Sequence, residues 1–195
     1  MILTNEFSVN LPKSMAIEVL TDIALIAPCI PGVSITETLD NRTYRGEATV
    51  RLGPVKLTFT GVGEITEINY DAHTASVQAG GTDKKGRGGA NATVTFELQG
   101  GDKTASGLPT TKVIVQTDLL LNGSIAQYGR ASGLIESIAQ ELTKEFAGNL
   151  EKALSTENGS LIDSKEISGL KLLVKAGIGK FKVGGGGTKD ETSTF

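Results

Sequence analysis

The sequence is poor in the residues that carry most protein chemistry. It has 195 residues, with no tryptophan, one cysteine, one histidine and only 5% aromatic residues. Cys29 alone cannot form an intramolecular disulfide, and one histidine with one distant cysteine is not a usual zinc ligand set. We expect Cys29 to be a small buried apolar side chain. The formal net charge of -3 lacks the basic excess that phosphate contacts need, so no nucleic-acid partner is predicted.

Long hydrophobic runs are also missing. No apolar stretch approaches the roughly 20 residues that span a bilayer. The N-terminus, MILTNEFSVNLPKS, has neither the basic region nor the apolar region of a secretory signal. We therefore expect a cytoplasmic protein.

The spacing of apolar residues changes along the chain. Residues 2–9 suggest a short strand, and residues 12–32 have the spacing of two short helices. Residues 33–122 alternate between apolar and polar and are broken by turn residues, which predicts about six further strands in meander order. Apolar residues then recur every three or four positions over residues 132–154, which predicts a long amphipathic helix. This order predicts an α+β helix-grip fold, in which a curved antiparallel sheet of six to seven strands wraps around the C-terminal helix.

The predicted inner face of the sheet is lined by unusually small residues. Alternation places Gly61, Gly63 and Ala92 opposite the long helix. Protein interiors are close-packed, and an empty void costs about 20 cal/mol per Å³. Either the helix approaches the sheet closely or the gap holds a ligand, and glycines that let strands bend are the other explanation.

An apolar gap with few polar groups suits a hydrophobic small molecule. The predicted lining residues are Tyr44, Ala48, Val50, Leu57, Phe59, Gly61, Val77, Ala92, Val94, Phe96, Val115, Leu119, Leu121, Tyr128, Arg130, Leu134, Ile138 and Leu142.

No constellation typical of catalysis stands out, and we predict no catalytic residue, no metal and no covalent cofactor. The segment GGTDKKGRGGA at residues 80–90 lacks both nucleotide-binding glycine patterns, so we expect a mobile hairpin tip there. His73 is expected in a solvent-exposed turn, and Glu64 and Glu67 on the outer face of the sheet. The joint NGSIAQYGRASG at residues 122–133 suggests either a plain hinge or a pocket mouth presenting Tyr128 and Arg130.

Several segments together resemble a known family. APCIPGV, LGPVKLTFTGVGEI, the G-x-G-G-A-x-A turn at residues 86–92, and GSIAQYGR followed by FAGNL resemble the CoxG family of carbon monoxide dehydrogenase proteins, which are START-like helix-grip domains that hold hydrophobic ligands. The resemblance covers about residues 1–154. The family positions that it carries over are Pro31, Gly32, Gly61, Gly123, Gln127, Gly129 and Arg130.

The resemblance implies a non-catalytic accessory protein of molybdenum carbon monoxide dehydrogenase at the inner face of the cytoplasmic membrane. There the electrons of that enzyme enter the quinone pool, so the implied ligand is a respiratory quinone, menaquinone or ubiquinone. The implied partners are the dehydrogenase complex and the membrane.

The C-terminal part follows no family pattern. Residues 155–166 are predicted to be a flexible linker and residues 184–195 a disordered glycine-rich end. On a helix, residues 167–183 form a lysine stripe beside an apolar band, which predicts a helix on the surface of anionic lipid. Lys180 falls on the apolar side and is the exception. The predicted membrane-binding residues are Leu170, Lys171, Leu173, Val174, Lys175, Ile178, Phe181 and Lys182.

Three functions remain open from the sequence. The first is a membrane adaptor that carries a lipophilic ligand. The second is a START-like enzyme of the cyclase or hydrolase type, for which the inner rows offer only Tyr44, Thr117 and Tyr128 as polar groups. The third is a recruitment adaptor without a ligand, in which residues 167–183 dock on a partner protein.

Overall fold

The computed structural model describes residues 1–104, 107, 109–129 and 132–155. The predicted membrane-surface helix, the glycine-rich end and the linker from residue 156 onward lie outside the described residues, as does Arg130. Ser155, expected to begin the linker, is the last residue of the long helix.

Seven strands and four helices follow one another in the predicted order. They are β1 (Ile2–Val9), α1 (Lys13–Thr21), α2 (Ile23–Ile26) with a 3₁₀ turn (Ala27–Cys29), β2 (Val33–Thr38), β3 (Thr43–Leu52), β4 (Val55–Asn69), β5 (Thr74–Asp83), β6 (Gly89–Gly100), β7 (Thr111–Leu121), a second 3₁₀ turn (Gly123–Ile125), α3 (Ala126–Gly129) and α4 (Ser132–Ser155).

The strands form one antiparallel sheet in the order β1-β7-β6-β5-β4-β3-β2. Strands β2 to β7 are a continuous meander, and β1 returns to pair with β7. Together with the long helix α4, this arrangement confirms the predicted helix-grip fold.

Local chemistry explains where the short helices begin. Pro12 immediately precedes α1, at a position where its missing N–H costs no helical hydrogen bond. The carboxylate of Asp22 accepts a hydrogen bond from the backbone N–H of Leu25, which caps the first turn of α2.

The apolar face of α4 packs at both of its ends. Its N-terminal half contributes Ile135 to a buried cluster, completed by Leu3, Leu52, Leu57 and Ile125. In its C-terminal half, the ring of Phe146 meets that of Phe7 edge-on at 5.5 Å, and Leu150 is fully buried. These two contacts hold the helix against the sheet and leave the middle of the concave face between them.

Candidate functional site

Strand pairing brings the small residues of the concave face into two adjacent rows. One row runs across the sheet as Tyr44, Gly63, Ala79, Ala92 and Leu119. The next runs as Gly46, Gly61, Gly81, Ala90 and Leu121. Side chains with at most one carbon atom therefore occupy the centre of both rows, and larger side chains lie at their ends.

The space above the first row is open. Ala79 is exposed although it lies on the concave face. A Cβ atom added at Gly63 would have no non-neighbouring atom closer than 4.0 Å. Helix α4 packs against β1, β3 and the turn at Ala27–Cys29. Together these features define a depression in the concave face, centred on Gly63, Ala79 and Ala92.

Gly46 and Gly61 have a different role. A Cβ atom at Gly61 would lie 1.9 Å from the carbonyl oxygen of Gly80, and one at Gly46 would lie 2.5 Å from that of Ser34. At these positions neighbouring strands approach too closely for any side chain, as the strand-bending explanation requires. The two explanations for the small residues therefore both hold, at different positions.

The side chains around the depression are almost entirely apolar. The predicted lining residues that are half-buried are Tyr44, Ala48, Val50, Phe59, Gly61, Val77, Ala92, Val94, Phe96, Leu119, Leu121, Tyr128, Ile138 and Leu142. Leu57 and Val115 are buried in the core, and Leu134 is 38% exposed. The predicted lining omits Gly63 and Ala79, which mark the open part; strict alternation along β4 and β5 was the signal that could have added them.

Tyr44 is the polar group at one end of the first row. Its hydroxyl donates to the carbonyl oxygen of Asn41 at 3.3 Å, a long bond. Partial burial raises the pKa of Tyr44, and the negative charges of Asp22 and Asp40 raise it further. The phenol therefore stays protonated and remains a hydrogen-bond donor.

The turn between β5 and β6 is anchored, contrary to the expectation of a mobile tip. The side chain of Asp83 is fully buried, and Arg87 holds it with two hydrogen bonds, Nε–Oδ2 at 2.7 Å and Nη2–Oδ1 at 2.8 Å. The backbone N–H groups of Thr58 and Lys85 donate to the same carboxylate. These bonds hold the pKa of Asp83 far below its usual range.

Arg87 also fixes the corner that leads to α4. Its carbonyl oxygen accepts hydrogen bonds from the backbone N–H and the hydroxyl of Ser124, both at 2.8 Å, and its Nη2 donates to the carbonyl oxygen of Lys56 at 2.8 Å. A Cβ atom at Gly123 would lie 2.7 Å from the Arg87 oxygen. Tyr128, just beyond, packs against the cluster around Leu57 and Ile135. The first half of the 122–133 joint is thus attached to the sheet.

The remaining candidate residues have structural surroundings. Cys29 is buried as predicted, and burial raises its pKa, so the thiol stays neutral. Glu64 and Glu67 are exposed, as predicted for the outer face. His73 lies in the turn before β5 with a φ of 54° and is half-buried rather than fully exposed.

The described residues lack two kinds of feature. No group of three or more His, Cys, Asp or Glu side chains within them could hold a metal ion. Nor is any helix in this part of the chain long and apolar enough to cross a membrane.

Comparison with known proteins places the chain in a family. The profile of the carbon monoxide dehydrogenase protein CoxG matches residues 6–155. A search of curated proteins finds no significant match. Among solved structures, a conserved protein from Geobacillus kaustophilus is similar, with a TM-score of 0.62 and 15% identity over 78% of this chain and 97% of the other.

A second solved structure has the same fold. It is the Zhui aromatase/cyclase from Streptomyces sp. R1128, with a TM-score of 0.52 and 13% identity over 78% of this chain and 93% of the other. At these identities the two structures speak only for the helix-grip architecture. The profile match covers most of the sequence, and the chain therefore belongs to the CoxG family of carbon monoxide dehydrogenase proteins.

Proposed function

We propose that this protein is a non-catalytic carrier that binds a lipophilic molecule in the depression of its concave face. The observation that carries the proposal is the open, apolar space above Gly63, Ala79 and Ala92. Each Å² of apolar ligand surface removed from water there contributes about 25 cal/mol. The described lining offers no pair of groups for acid–base chemistry, since Asp83 at its edge is already bound by Arg87.

We propose a respiratory quinone, menaquinone or ubiquinone, as the ligand. A quinone combines a large apolar surface with two carbonyl acceptors. Phe59, Val77, Val94 and Leu119 supply apolar surface around the depression. The protonated hydroxyl of Tyr44, held only by a long bond to Asn41, is a donor that suits one quinone carbonyl.

Filling the depression should remove the ligand. Ala79→Phe places a ring in the open space, and we expect the amount of lipid extracted by organic solvent from purified protein to fall about tenfold or more, because pocket volume limits binding. The measurement is mass spectrometry of the extract, which also identifies the molecule.

The matched control is Gln78→Phe, which adds the same ring at the neighbouring exposed residue on the opposite face of β5. It should leave the extracted amount unchanged. A wild-type extract without lipid, or an Ala79→Phe protein that keeps its lipid, would contradict the carrier function.

We further propose that the protein serves aerobic molybdenum carbon monoxide dehydrogenase by bringing the enzyme and the membrane quinone pool together. Family membership supports the association with that enzyme. Residues 165–183 contain five lysines and one glutamate, and each lysine near an anionic membrane contributes about 1 kcal/mol. This segment is the proposed attachment to the inner face of the cytoplasmic membrane.

Deleting residues 164–195 should abolish co-flotation with vesicles containing phosphatidylglycerol. Wild-type protein should float with these vesicles and not with purely zwitterionic ones, and added salt should weaken its binding. Exchanging Lys171, Lys175 and Lys182 for glutamate should have the same effect as the deletion. Unchanged flotation of the deletion variant would refute the attachment. If the deletion instead abolishes capture of the dehydrogenase without lipid, residues 164–195 dock on the enzyme.

A further inference from the structure

The strand β1 has a free backbone edge. Met1 and Leu119 exchange two backbone hydrogen bonds of 2.8 Å each. In an antiparallel pair such exchanges recur at every second residue, so the odd-numbered residues of β1 bond to β7. The N–H and C=O groups of Ile2, Thr4, Glu6 and Ser8 therefore point away from β7, toward a side where no described strand pairs with them.

A groove runs between this free edge and helix α4. It consists of two adjoining openings of about 160 and 400 Å³ that share Thr4, Asn5 and Gln140. One wall is β1 from Ile2 to Phe7. The other wall is a single stripe of α4, and its members are Glu136, Gln140, Thr143, Lys144 and Ala147. The groove lies outside the depression of the concave face.

The groove holds unused polar groups. Within the described part of the chain, the side-chain amides of Asn5 and Gln140 have no hydrogen-bond partner, and neither Glu136 nor Lys144 is in an ion pair. Glu136 lines the opening beside Ile2 and Leu3, whereas Lys144 lines the opening beside Glu6 and Phe7. Strand and helix therefore run in the same direction, with a negative charge at one end of the groove and a positive charge at the other.

We propose that this groove binds an extended segment of a partner protein, which adds as an antiparallel strand to β1. Strand addition to an open edge is a common mode of peptide recognition, and antiparallel pairing is the more stable arrangement. An incoming antiparallel segment passes Lys144 first and Glu136 last. The eight helical residues between these charges span about 12 Å, and four strand residues span about 13 Å. The segment therefore carries an acidic residue followed, four positions later, by a basic one.

The charges also exclude a second copy of β1 as the occupant. Residues 2–9 of this chain read ILTNEFSV and contain no basic residue to meet Glu136. A segment from a different protein is the occupant that fits.

The test uses fluorescein-labelled heptapeptides of valine and threonine, with Asp at the second position and Lys at the sixth. Fluorescence anisotropy with the full-length protein should show saturable binding. A peptide with Lys second and Asp sixth has both charges mismatched and should bind about threefold to tenfold more weakly, as expected for exposed ion pairs. Absence of saturable binding by either peptide would overturn the proposal.

Charge exchange in the protein gives the matched control. The double variant Glu136→Lys with Lys144→Glu should reverse the preference between the two peptides, whereas a merely structural effect would weaken both alike. An unreversed preference would overturn the assigned orientation and charge pairing. Both residues are exposed, so the double variant should keep the wild-type circular dichroism spectrum and the wild-type lipid content. The latter separates this proposal from the carrier function.

Thr4→Pro tests the backbone contribution. Thr4 points its N–H toward the free edge, so proline there removes a donor from the groove without breaking the β1–β7 ladder. Binding of the better peptide should fall about tenfold. Binding unchanged in a folded Thr4→Pro protein would overturn strand addition, and the charge-exchange variant decides the question if this variant does not fold.

Discussion

Replacing Gly61 by alanine is expected to lower the free energy of unfolding by about 3 kcal/mol, the upper end of the usual cost of overpacking. The new Cβ atom would lie 1.9 Å from the carbonyl oxygen of Gly80 and 2.6 Å from the Cα atom of Gly81. Both are backbone atoms and cannot rotate away, so β4 and β5 must separate at the centre of the sheet. Urea unfolding followed by circular dichroism measures the loss.

Gly63→Ala is the matched control, two residues along the same strand. Its Cβ atom would enter the open depression, with the nearest atoms 4.0 Å away. Because glycine in a strand interior costs about 0.5–1 kcal/mol relative to alanine, we expect Gly63→Ala to be neutral or slightly stabilising. Equal effects of the two substitutions would contradict the different roles assigned to these glycines.

Asp83→Asn is expected to lower the Tm by about 10 °C, since removing the charge from a buried, bidentate pair leaves its partner uncompensated. The change weakens two hydrogen bonds from Arg87 and reduces the hold on the turn that bonds to Ser124. Lys85→Ala is the control on the same turn, since its exposed side chain forms no ion pair among the described residues. A Tm equal to that of Lys85→Ala would refute a role of the pair in holding this corner.

The same pair predicts a pH dependence. An unfolded aspartate titrates near pH 3.9, whereas the folded Asp83 has its pKa held far lower by Arg87. The unfolded state therefore takes up the proton first as the pH falls. The stabilisation by this carboxylate is complete above about pH 5 and declines progressively below it. The difference in unfolding free energy between wild type and Asp83→Asn should accordingly be larger at pH 7 than at pH 3.

Much of the fold could be predicted because its signals are local. The predicted strand at residues 2–9 is β1, and the helix predicted over residues 132–154 is α4, which ends one residue later. The anchored turn at Asp83 could not be predicted in this way. Its partners Lys56, Thr58 and Ser124 are 25 or more residues away in sequence, and no periodicity reports a pairing over that separation.

The candidate site divides along the same line. Alternation of side chains along a strand has a period of two, so the one-dimensional pattern already assigns Gly61, Gly63 and Ala92 to one face and indicates that this face is apolar. Whether a small residue borders empty space or a neighbouring backbone depends on the distance to other strands and to the helix. That distance is set by packing at the two ends of α4, far from these residues in sequence. For this reason two glycines separated by a single valine are indistinguishable in the sequence, yet one lies in the open depression and the other holds two strands together.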